Sequence, residues 1–382
     1  MSDDPSVENP TGRGLPAAPR REACTALLAG ALGAGLAPAA QAQPRSPVAP
    51  PLRVAFVYVS PVTDAGWTFQ HDTGRREMEK ALGAQVRTTA VEKVAAGPDA
   101  ERVLRDLASQ GHSLIFATSF GYMEPTLKVA REFPDVAFEH CSGFRGAPNV
   151  ARYNARFYEG RWLAGMAAGR ASTSNQLGYV AAYPIPEVLQ GINAFTLGAR
   201  SVNPKAQVRV VWTSSWFDPG RERDAAVTLI NQGADVLTHH TDSSAVPQAA
   251  EARAVRVVSY HSDMSRAAPR MHLVSVTHHW GAYYEQRARM VLEGRWRPDD
   301  RWGGLHDGMV RVGPLSDAIP AETATLMRTR EREVAEGRAH PFTGPVRDSE
   351  GQVRLAGGAL SDADLGRIDW FVEGVVGKVP RG

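Results

Sequence analysis

The sequence lacks the features that mark several large classes of protein. Only two of its 382 residues are cysteines, which excludes a disulfide-rich scaffold. Its formal net charge is +2 and it has no long run of like charges, so nothing indicates a nucleic-acid partner. It also lacks a Gly-x-Ser-x-Gly nucleophile motif, a Gly-x4-Gly-Lys-Ser/Thr phosphate loop and a His-Glu-x-x-His metal motif. We therefore expect no catalytic residues, no metal site and no cofactor.

The first 42 residues are typical of a targeting segment rather than of a folded domain. Two arginines at 20–21 precede an Ala/Leu/Gly-rich run at 23–37 that is too short to span a bilayer. Residues 40–42, Ala-Gln-Ala, form a small-x-small cleavage site. We expect export to the periplasm by the Sec or twin-arginine route, cleavage after about Ala42, and a short linker at residues 43–51.

The remaining chain alternates short apolar runs with helical patterns, as parallel sheets with crossover helices do. Two stretches of the chain also match at a fixed offset of 122 residues. Ala84-Gln85-Val86-Arg87 matches Ala206-Gln207-Val208-Arg209, and Gly111 at one helix end matches Gly233 at another. We predict an α/β fold with two doubly wound parallel-sheet lobes joined by hinge strands.

The order of the predicted elements gives a division into lobes. The N-terminal lobe is predicted to comprise residues 52–152 and 262–305, and the C-terminal lobe residues 153–261 and 306–345. Residues 346–382 are predicted to form a tail packed on the lobes. This division assigns strand 273–276 to the first lobe. A chain that enters a lobe more than once has several hinges, which allow closure around a ligand.

Ligands of parallel sheets lie beyond the carboxyl ends of the strands. The loops at these ends are residues 60–68, 119–122, 183–187, 214–218, 240–243 and 261–263. Trp67 and Trp216 come from opposite lobes, and two indole faces would sandwich a flat ring system. Carboxylates in the same loops would accept hydrogen bonds from ring N–H or amino groups. The loops therefore predict a site for a small planar ligand.

Simpler interpretations exist for several of these residues. A tryptophan in such a chain is more often part of the core than a ligand platform. Asp218, which precedes Pro-Gly, is also suited to cap the helix that begins near Arg221, and Asp64 to form an Asx turn. The pairs at 239–240 and 278–279 are histidines, but neighbouring strand residues point to opposite faces, so each pair offers at most one metal ligand.

At these residues the chain resembles the basic membrane protein (PnrA-like) family of ABC-transporter substrate-binding proteins, from about Leu52 to Pro380. The segments that carry the resemblance are Asp64-Ala-Gly-Trp67-Thr68-Phe69-Gln70, Tyr122, Phe157-Tyr158-Glu159-Gly160 with Ala164-Gly165, Pro184-Ile-Pro-Glu187 with Gly191-Ile-Asn-Ala-Phe195, Trp216-Phe217-Asp218-Pro219-Gly220, His240-Thr-Asp242-Ser243, Gly303-Gly304-Leu-His-Asp307-Gly308 and the tail from Asp369 to Lys378. The resemblance implies a type I periplasmic-binding fold, a purine base or nucleoside as ligand and a membrane permease as partner. It implies binding and not catalysis.

The resemblance also implies roles for individual residues. The aromatic clamp would be Trp67 and Trp216, with Phe217 as the second candidate for the latter position. Polar contacts to the base would come from the loops that hold Asp64, Tyr122, Glu187 and Asp242, and Asp263 would add an acceptor. Together, the loops and the resemblance give ten candidate ligand contacts: Asp64, Trp67, Thr68, Phe120, Tyr122, Glu187, Trp216, Phe217, Asp242 and Asp263.

One departure from the family pattern bears on the ligand. Members that bind nucleosides carry a lysine after the strand that corresponds to residues 273–276, and it reaches the ribose. Thr277-His278-His279 stands there in this chain. The departure favours a free base such as adenine over a nucleoside, although a histidine is also able to donate to a hydroxyl.

The sequence thus predicts a monomeric periplasmic solute-binding protein of an ABC importer that binds a purine base or nucleoside between two lobes. One alternative is a ligand-sensing protein of the same fold that regulates a membrane partner. Another is an enzyme that acts on nucleosides or sugars.

Overall fold

The computed structural model describes residues 50–380, so the predicted leader, its cleavage site and Cys24 lie outside the described residues. The described chain forms the strands β1 (Leu52–Val57), β2 (Val86–Val91), β3 (Leu114–Ala117), β4 (Ala137–Cys141), β5 (Val150–Ala155), β6 (Gln176–Ala181), β7 (Gln207–Trp212), β8 (Val236–His240), β9 (Arg256–His261), β10 (His272–His278), β11 (Asp300–Gly303), β12 (Val310–Val312), β13 (Val346–Arg347), β14 (Val353–Leu355) and β15 (Val375–Val376). Its helices are α1 (Trp67–Leu82), α2 (Pro98–Ser109), α3 (Met123–Glu132), α4 (Phe157–Ala171), α5 (Pro186–Val202), α6 (Pro219–Asn231), α7 (Ala245–Ala252), α8 (Gly281–Leu292), α9 (Ala321–Ala335) and α10 (Asp362–Leu365).

Two large sheets organise these elements, and five strands in each follow the same order. The first sheet runs β2-β1-β3-β4-β5-β11 and is parallel throughout. The second runs β15-β7-β6-β8-β9-β10-β12, and only β12 is antiparallel to its neighbour. In each sheet the first strand of the lobe lies between the second and the third, which is the doubly wound arrangement. The predicted fold class is confirmed.

The repeat at an offset of 122 residues corresponds to this doubled architecture. The matched segments lead into β2 and β7, which are the second strands of the two sheets. The matched glycines, Gly111 and Gly233, end α2 and α6 with φ values of +85° and +94°. Glycine adopts such a φ without the steric cost that a Cβ brings, so both helices stop in the same way.

One strand lies in a different sheet from the one predicted. The division into lobes placed strand 273–276 in the first lobe, but β10 pairs with β9 and β12 in the second sheet. Apolar runs of buried parallel strands are alike in sequence, so the pattern did not identify its neighbours. The chain returns to the first lobe one element later, since α8 packs against α1 and β11 pairs with β5. The remaining predicted boundaries stay predictions.

The tail packs on helices and an edge strand of the second sheet. β15 adds an edge strand to β7, and the Asn193 side chain of α5 bonds the backbone of Trp370 and Val372. Asp362 in α10 forms a two-pronged ion pair with Arg156, which precedes α4. These contacts hold the tail against α4, α5 and the edge of the second sheet. In the part of the chain that the structure describes, no helix has the length and apolar character needed to cross a membrane.

Candidate functional site

A cavity lies where the carboxyl ends of the two sheets face each other. Its walls come from loops of both sheets, as expected for parallel sheets. The lining residues are Val59, Trp67, Ser119, Phe120, Ser142, Ile185, Glu187, Trp216, His240, Asp242 and His261. Five of the ten predicted contacts are therefore brought together around one space.

Trp67 supplies an aromatic wall from the first sheet. It begins α1 directly after the loop that follows β1, and its indole N–H donates to the Thr118 carbonyl at 2.8 Å. His71, His261 and other aromatic rings pack against it at steep angles, with centroids 4.5 and 5.5 Å away for these two. The hydrogen bond and the edge contacts fix the plane of the ring, so the indole presents a preset surface to the cavity.

Trp216 supplies an aromatic wall from the second sheet. It is half-buried in the loop after β7 and packs against Tyr183 at 5.1 Å between ring centroids. Its carbonyl accepts from the amide of Asp242, which ties the loops after β7 and β8 together. The neighbouring Phe217 does not line the cavity. Two tryptophans from opposite sheets thus share one cavity.

Asp242 connects the two sheets. It lies in the loop after β8, and its carboxylate accepts from the Ser60 hydroxyl and from the Trp67 amide. The Gly66 amide donates to the Ser262 hydroxyl at 2.7 Å. The first amides of a helix have no partner within the helix, so loops of the second sheet complete the start of α1. Burial raises the pKa of Asp242 to about 7, while the Ser60 hydroxyl and the Trp67 amide lower it.

Glu187 makes a second connection between the sheets. It lies in the first turn of α5, and its Oε2 accepts from the Ser142 hydroxyl at 2.6 Å and from the Asn154 amide at 3.1 Å. Its Oε1 lies 3.7 Å from Nε2 of His240 and forms no hydrogen bond within the described chain. One carboxylate oxygen is therefore held by the protein, and the other stays available to a ligand.

The structure places five of the ten predicted residues away from the cavity lining. Asp64 is exposed, and Asp263 is an exposed carboxylate that accepts from the Ser265 amide at 2.9 Å. The Tyr122 hydroxyl donates to the Val94 carbonyl at 2.6 Å inside the first lobe. Thr68 lies behind the wall, where its hydroxyl bonds Ser60 at 2.5 Å. Phe217 is the fifth, and we leave all five out of the site proposed below.

Six lining residues were not among the predicted contacts: Val59, Ser119, Ser142, Ile185, His240 and His261. Four of them lie in loops that the strand-end rule had already identified. Ser142 follows β4, and the same rule applied to that strand would have found it. Asp218 acts as the helix cap of the simpler interpretation, since its side chain accepts from the Arg221 amide at 3.0 Å.

His240 and His261 line the cavity, and the histidines of the fold together give an expected pH dependence of folding. Burial lowers the pKa of ten histidines, to about 4 for His140 and about 3 for His239. Five carboxyl groups with raised pKa values act in the opposite direction but are fewer. Below the unfolded histidine pKa of about 6.5 the unfolded chain therefore binds more protons than the folded one, and stability falls as pH decreases.

We expect the free energy of unfolding to be at its maximum above pH 6.5 and to decrease by roughly 5 kcal/mol towards pH 5. Each proton that the unfolded chain binds in excess of the folded one contributes about 1.4 kcal/mol per pH unit. Urea unfolding between pH 7.5 and 4.5 measures this decrease. His306→Gln is the control because its ring is exposed in the fold, so the slope should stay as in the parent. Stability that is flat or rises over this range would contradict the expectation.

Comparison with known proteins agrees with this geometry. The family model described as ABC transporter substrate-binding protein, PnrA-like, matches residues 52–335. A purine-binding protein of Brucella abortus is 46% identical over 331 residues, which cover 86% of this chain and 94% of the relative. A Haloferax volcanii protein named as an ABC transporter glucose-binding protein is 36% identical over 329 residues, 86% of this chain and 81% of that protein.

A solved ABC transporter solute-binding protein from Aeropyrum pernix superposes with a TM-score of 0.66 at 19% identity, over 78% of this chain and 93% of that one. This likeness shows the fold. Proteins of this kind bind small molecules and work with membrane permeases, and they are not enzymes. With two lobes facing one cavity and a family match over most of its length, the chain belongs to the PnrA-like family of ABC transporter substrate-binding proteins.

Proposed function

We propose that the protein captures a purine base, adenine-like, between its two lobes in the periplasm and delivers it as a monomer to the permease of an ABC importer. The observation that carries this proposal is the placement of Trp67 and Trp216 on one cavity together with the Glu187 carboxylate, whose Oε1 has no hydrogen bond within the described chain. Aromatic faces suit a planar heterocycle, and carboxylates accept hydrogen bonds from its N–H groups. The purine-binding relative supports the same ligand class.

The glucose-binding relative makes a sugar the second candidate for the ligand. The polar groups of the cavity wall favour the purine, because most of them already bond other groups of the protein. Asp242 bonds Ser60 and Trp67, and the Ser142 hydroxyl bonds Glu187, so these groups are already occupied. A hexose has a hydroxyl on nearly every carbon, and each requires a partner when buried. A purine base carries its polar groups only at the ring edge, so its two faces need no hydrogen-bond partners and suit the aromatic walls.

The wall also favours a free base over a nucleoside. The segment where nucleoside-binding members carry lysine places His278 in the core, where its ring lies 5.6 Å from Trp67 and 4.3 Å from Phe157. His279 bonds the Thr277 hydroxyl at 2.9 Å, and neither histidine lines the cavity. Ribose hydroxyls would therefore find no cationic partner at that wall.

We expect adenine to bind at least about tenfold more tightly than adenosine, because buried ribose hydroxyls without partners cost about 1–3 kcal/mol each. Isothermal titration with adenine, adenosine and glucose measures the order. Adenine at 100 times its Kd should raise the stability by about 2.7 kcal/mol, visible as a higher Tm, and should quench tryptophan fluorescence. A higher affinity for adenosine would overturn the preference for the base, and binding of glucose alone would overturn the purine proposal.

A further inference from the structure

Arg161 is a buried cation that has no ionic partner among the described residues and lies behind the cavity wall. It lies on α4 with its side chain fully enclosed, and none of its three guanidinium nitrogens has a hydrogen-bond partner among the described residues. Its charge rests among aromatic rings, with the guanidinium carbon 4.4 Å from the Tyr260 ring centroid and 4.8 Å from that of Tyr179. Cation–π contacts offset only part of the cost of burying a charge, so its position calls for a further interaction.

His240 lines the cavity and lies close to this cation. Its Nε2 faces Oε1 of Glu187 at 3.7 Å, and its Nδ1 is buried without a partner in the described chain. The hydroxyl of Tyr179 is likewise buried and unpartnered. A Cβ placed on Gly191 of α5 would lie 3.2 Å from that hydroxyl and 3.7 Å from Nδ1 of His240. The same point lies 3.9 Å from Cγ of Arg161, so the three side chains converge beside a residue that has no side chain.

The donor and acceptor capacities of these groups determine which one donates and which one accepts in each hydrogen bond. A guanidinium only donates, so a hydroxyl that meets Arg161 must accept through its oxygen. The hydroxyl hydrogen of Tyr179 is then free to point at Nδ1 of His240, which must be the unprotonated ring nitrogen to accept it. A neutral imidazole carries one hydrogen, and in this order the hydrogen lies on Nε2, on the cavity side.

We propose that Arg161 is a positioning residue that acts through the Tyr179 hydroxyl to hold His240 in the tautomer with its hydrogen on Nε2. The cavity wall then presents an N–H donor next to the free oxygen of Glu187. This pair matches a heterocycle edge with a hydrogen-bond donor beside an acceptor, such as the amino group and ring nitrogen of adenine. The ligand part of the inference rests on the proposed function, whereas the tautomer does not.

The tautomer is measured on the ligand-free protein by 15N NMR of the histidine rings, in which protonated and unprotonated nitrogens resonate far apart. His240→Gln assigns the signal. Two other histidines serve as internal references, because a carbonyl only accepts. Nε2 of His140 lies 2.8 Å from the Ser119 carbonyl, and Nδ1 of His239 lies 3.1 Å from the Thr241 carbonyl. We expect His240 to resemble His140 and to differ from His239.

Two variants test the role of the cation. Tyr179→Phe keeps the ring and removes the hydroxyl, and Arg161→Met keeps the length and removes the charge. In both, the His240 signal should shift towards the other tautomer, and Arg161→Lys, which also only donates, should restore the parent signal. Adenine affinity should fall about two- to tenfold in Tyr179→Phe, the effect of one neutral hydrogen bond.

Hydrogen on Nδ1 of His240 in the parent protein would overturn the proposal. So would a parent-like His240 signal in folded Tyr179→Phe, whatever Arg161→Met does to folding. If no purine binds while the tautomer responds as expected, the proposed ligand is wrong and the positioning role stands. If adenine binds while the tautomer is insensitive to both variants, the proposed ligand stands and the positioning role is wrong.

Discussion

Replacing Trp67 by alanine should lower the affinity for adenine by roughly one to two orders of magnitude. The indole forms one aromatic wall of the cavity, and a base stacked on an aromatic ring gains about 1–3 kcal/mol, where 1.4 kcal/mol corresponds to tenfold. Trp216→Ala, from the opposite lobe, should have an effect of the same size. Isothermal titration of both variants with adenine gives the two affinities.

The control for these variants is Trp370→Ala. Trp370 is also half-buried, but it packs under Arg354 in the tail and does not line the cavity. Its affinity for adenine should equal that of the parent. Because Trp67 is largely enclosed, the Tm of each variant is measured as well, and Trp67→Phe, which keeps an aromatic face, should recover most of the affinity. Parent-like affinity in folded Trp67→Ala would remove this residue from the site.

Asp242→Ala should weaken adenine binding by about a hundredfold or more through the loss of two hydrogen bonds between the lobes. The carboxylate joins the loop after β8 to the start of α1, and hydrogen bonds to a charged group contribute about 1.5–3 kcal/mol each. These bonds form only when the lobes meet, so their loss shortens the lifetime of the closed complex. The weaker binding should therefore appear as a faster dissociation, with little change in the association rate.

Stopped-flow tryptophan fluorescence separates the two rates, and Asp224→Ala is the matched control. Asp224 is an exposed aspartate on α6, in the same lobe and outside the cavity. Its variant should bind and release adenine as the parent does. A slower association with an unchanged dissociation rate in Asp242→Ala would contradict the closure role, because it would place the effect on ligand entry.

The sequence predicted the elements well where local signals are strong. The matched glycines, Gly111 and Gly233, marked the ends of α2 and α6, which share a positive φ. Each of the six loops predicted at strand ends contributes a residue to the cavity lining, because a parallel sheet places all its carboxyl ends on one edge. Local pattern therefore identified which loops surround the cavity.

The choice of residue within each loop was less successful, and one loop shows why. Residues 261–263 contain both His261 and Asp263, and the carboxylate was chosen as the ligand contact. In the structure His261 adopts a φ of +71° and lines the cavity, while Asp263 bonds the Ser265 amide outside it. A left-handed φ at a non-glycine residue is not visible in a sequence pattern, and it reverses which side chain points inward.

Glu187 shows a second limit of sequence reading. Its loop was identified, but its partners Ser142 and Asn154 lie 45 and 33 residues earlier in the chain and belong to the other sheet. The pairing of β10 with β9 was missed for a related reason, since neighbours in a sheet are set by packing between distant segments. Apolar strands buried on both faces carry the same pattern in either sheet.

By itself the sequence determined the class of the molecule: two similar α/β lobes, a set of polar and aromatic loops at the strand ends, and a family of binding proteins. These follow from periodicity, capping residues and motifs, which act over a few residues. The tertiary structure decided which side chains enter the cavity, which carboxylates join the lobes, and that a buried arginine lies behind His240. Such features depend on contacts between residues far apart in the chain, and they are fixed only when the two sheets face each other.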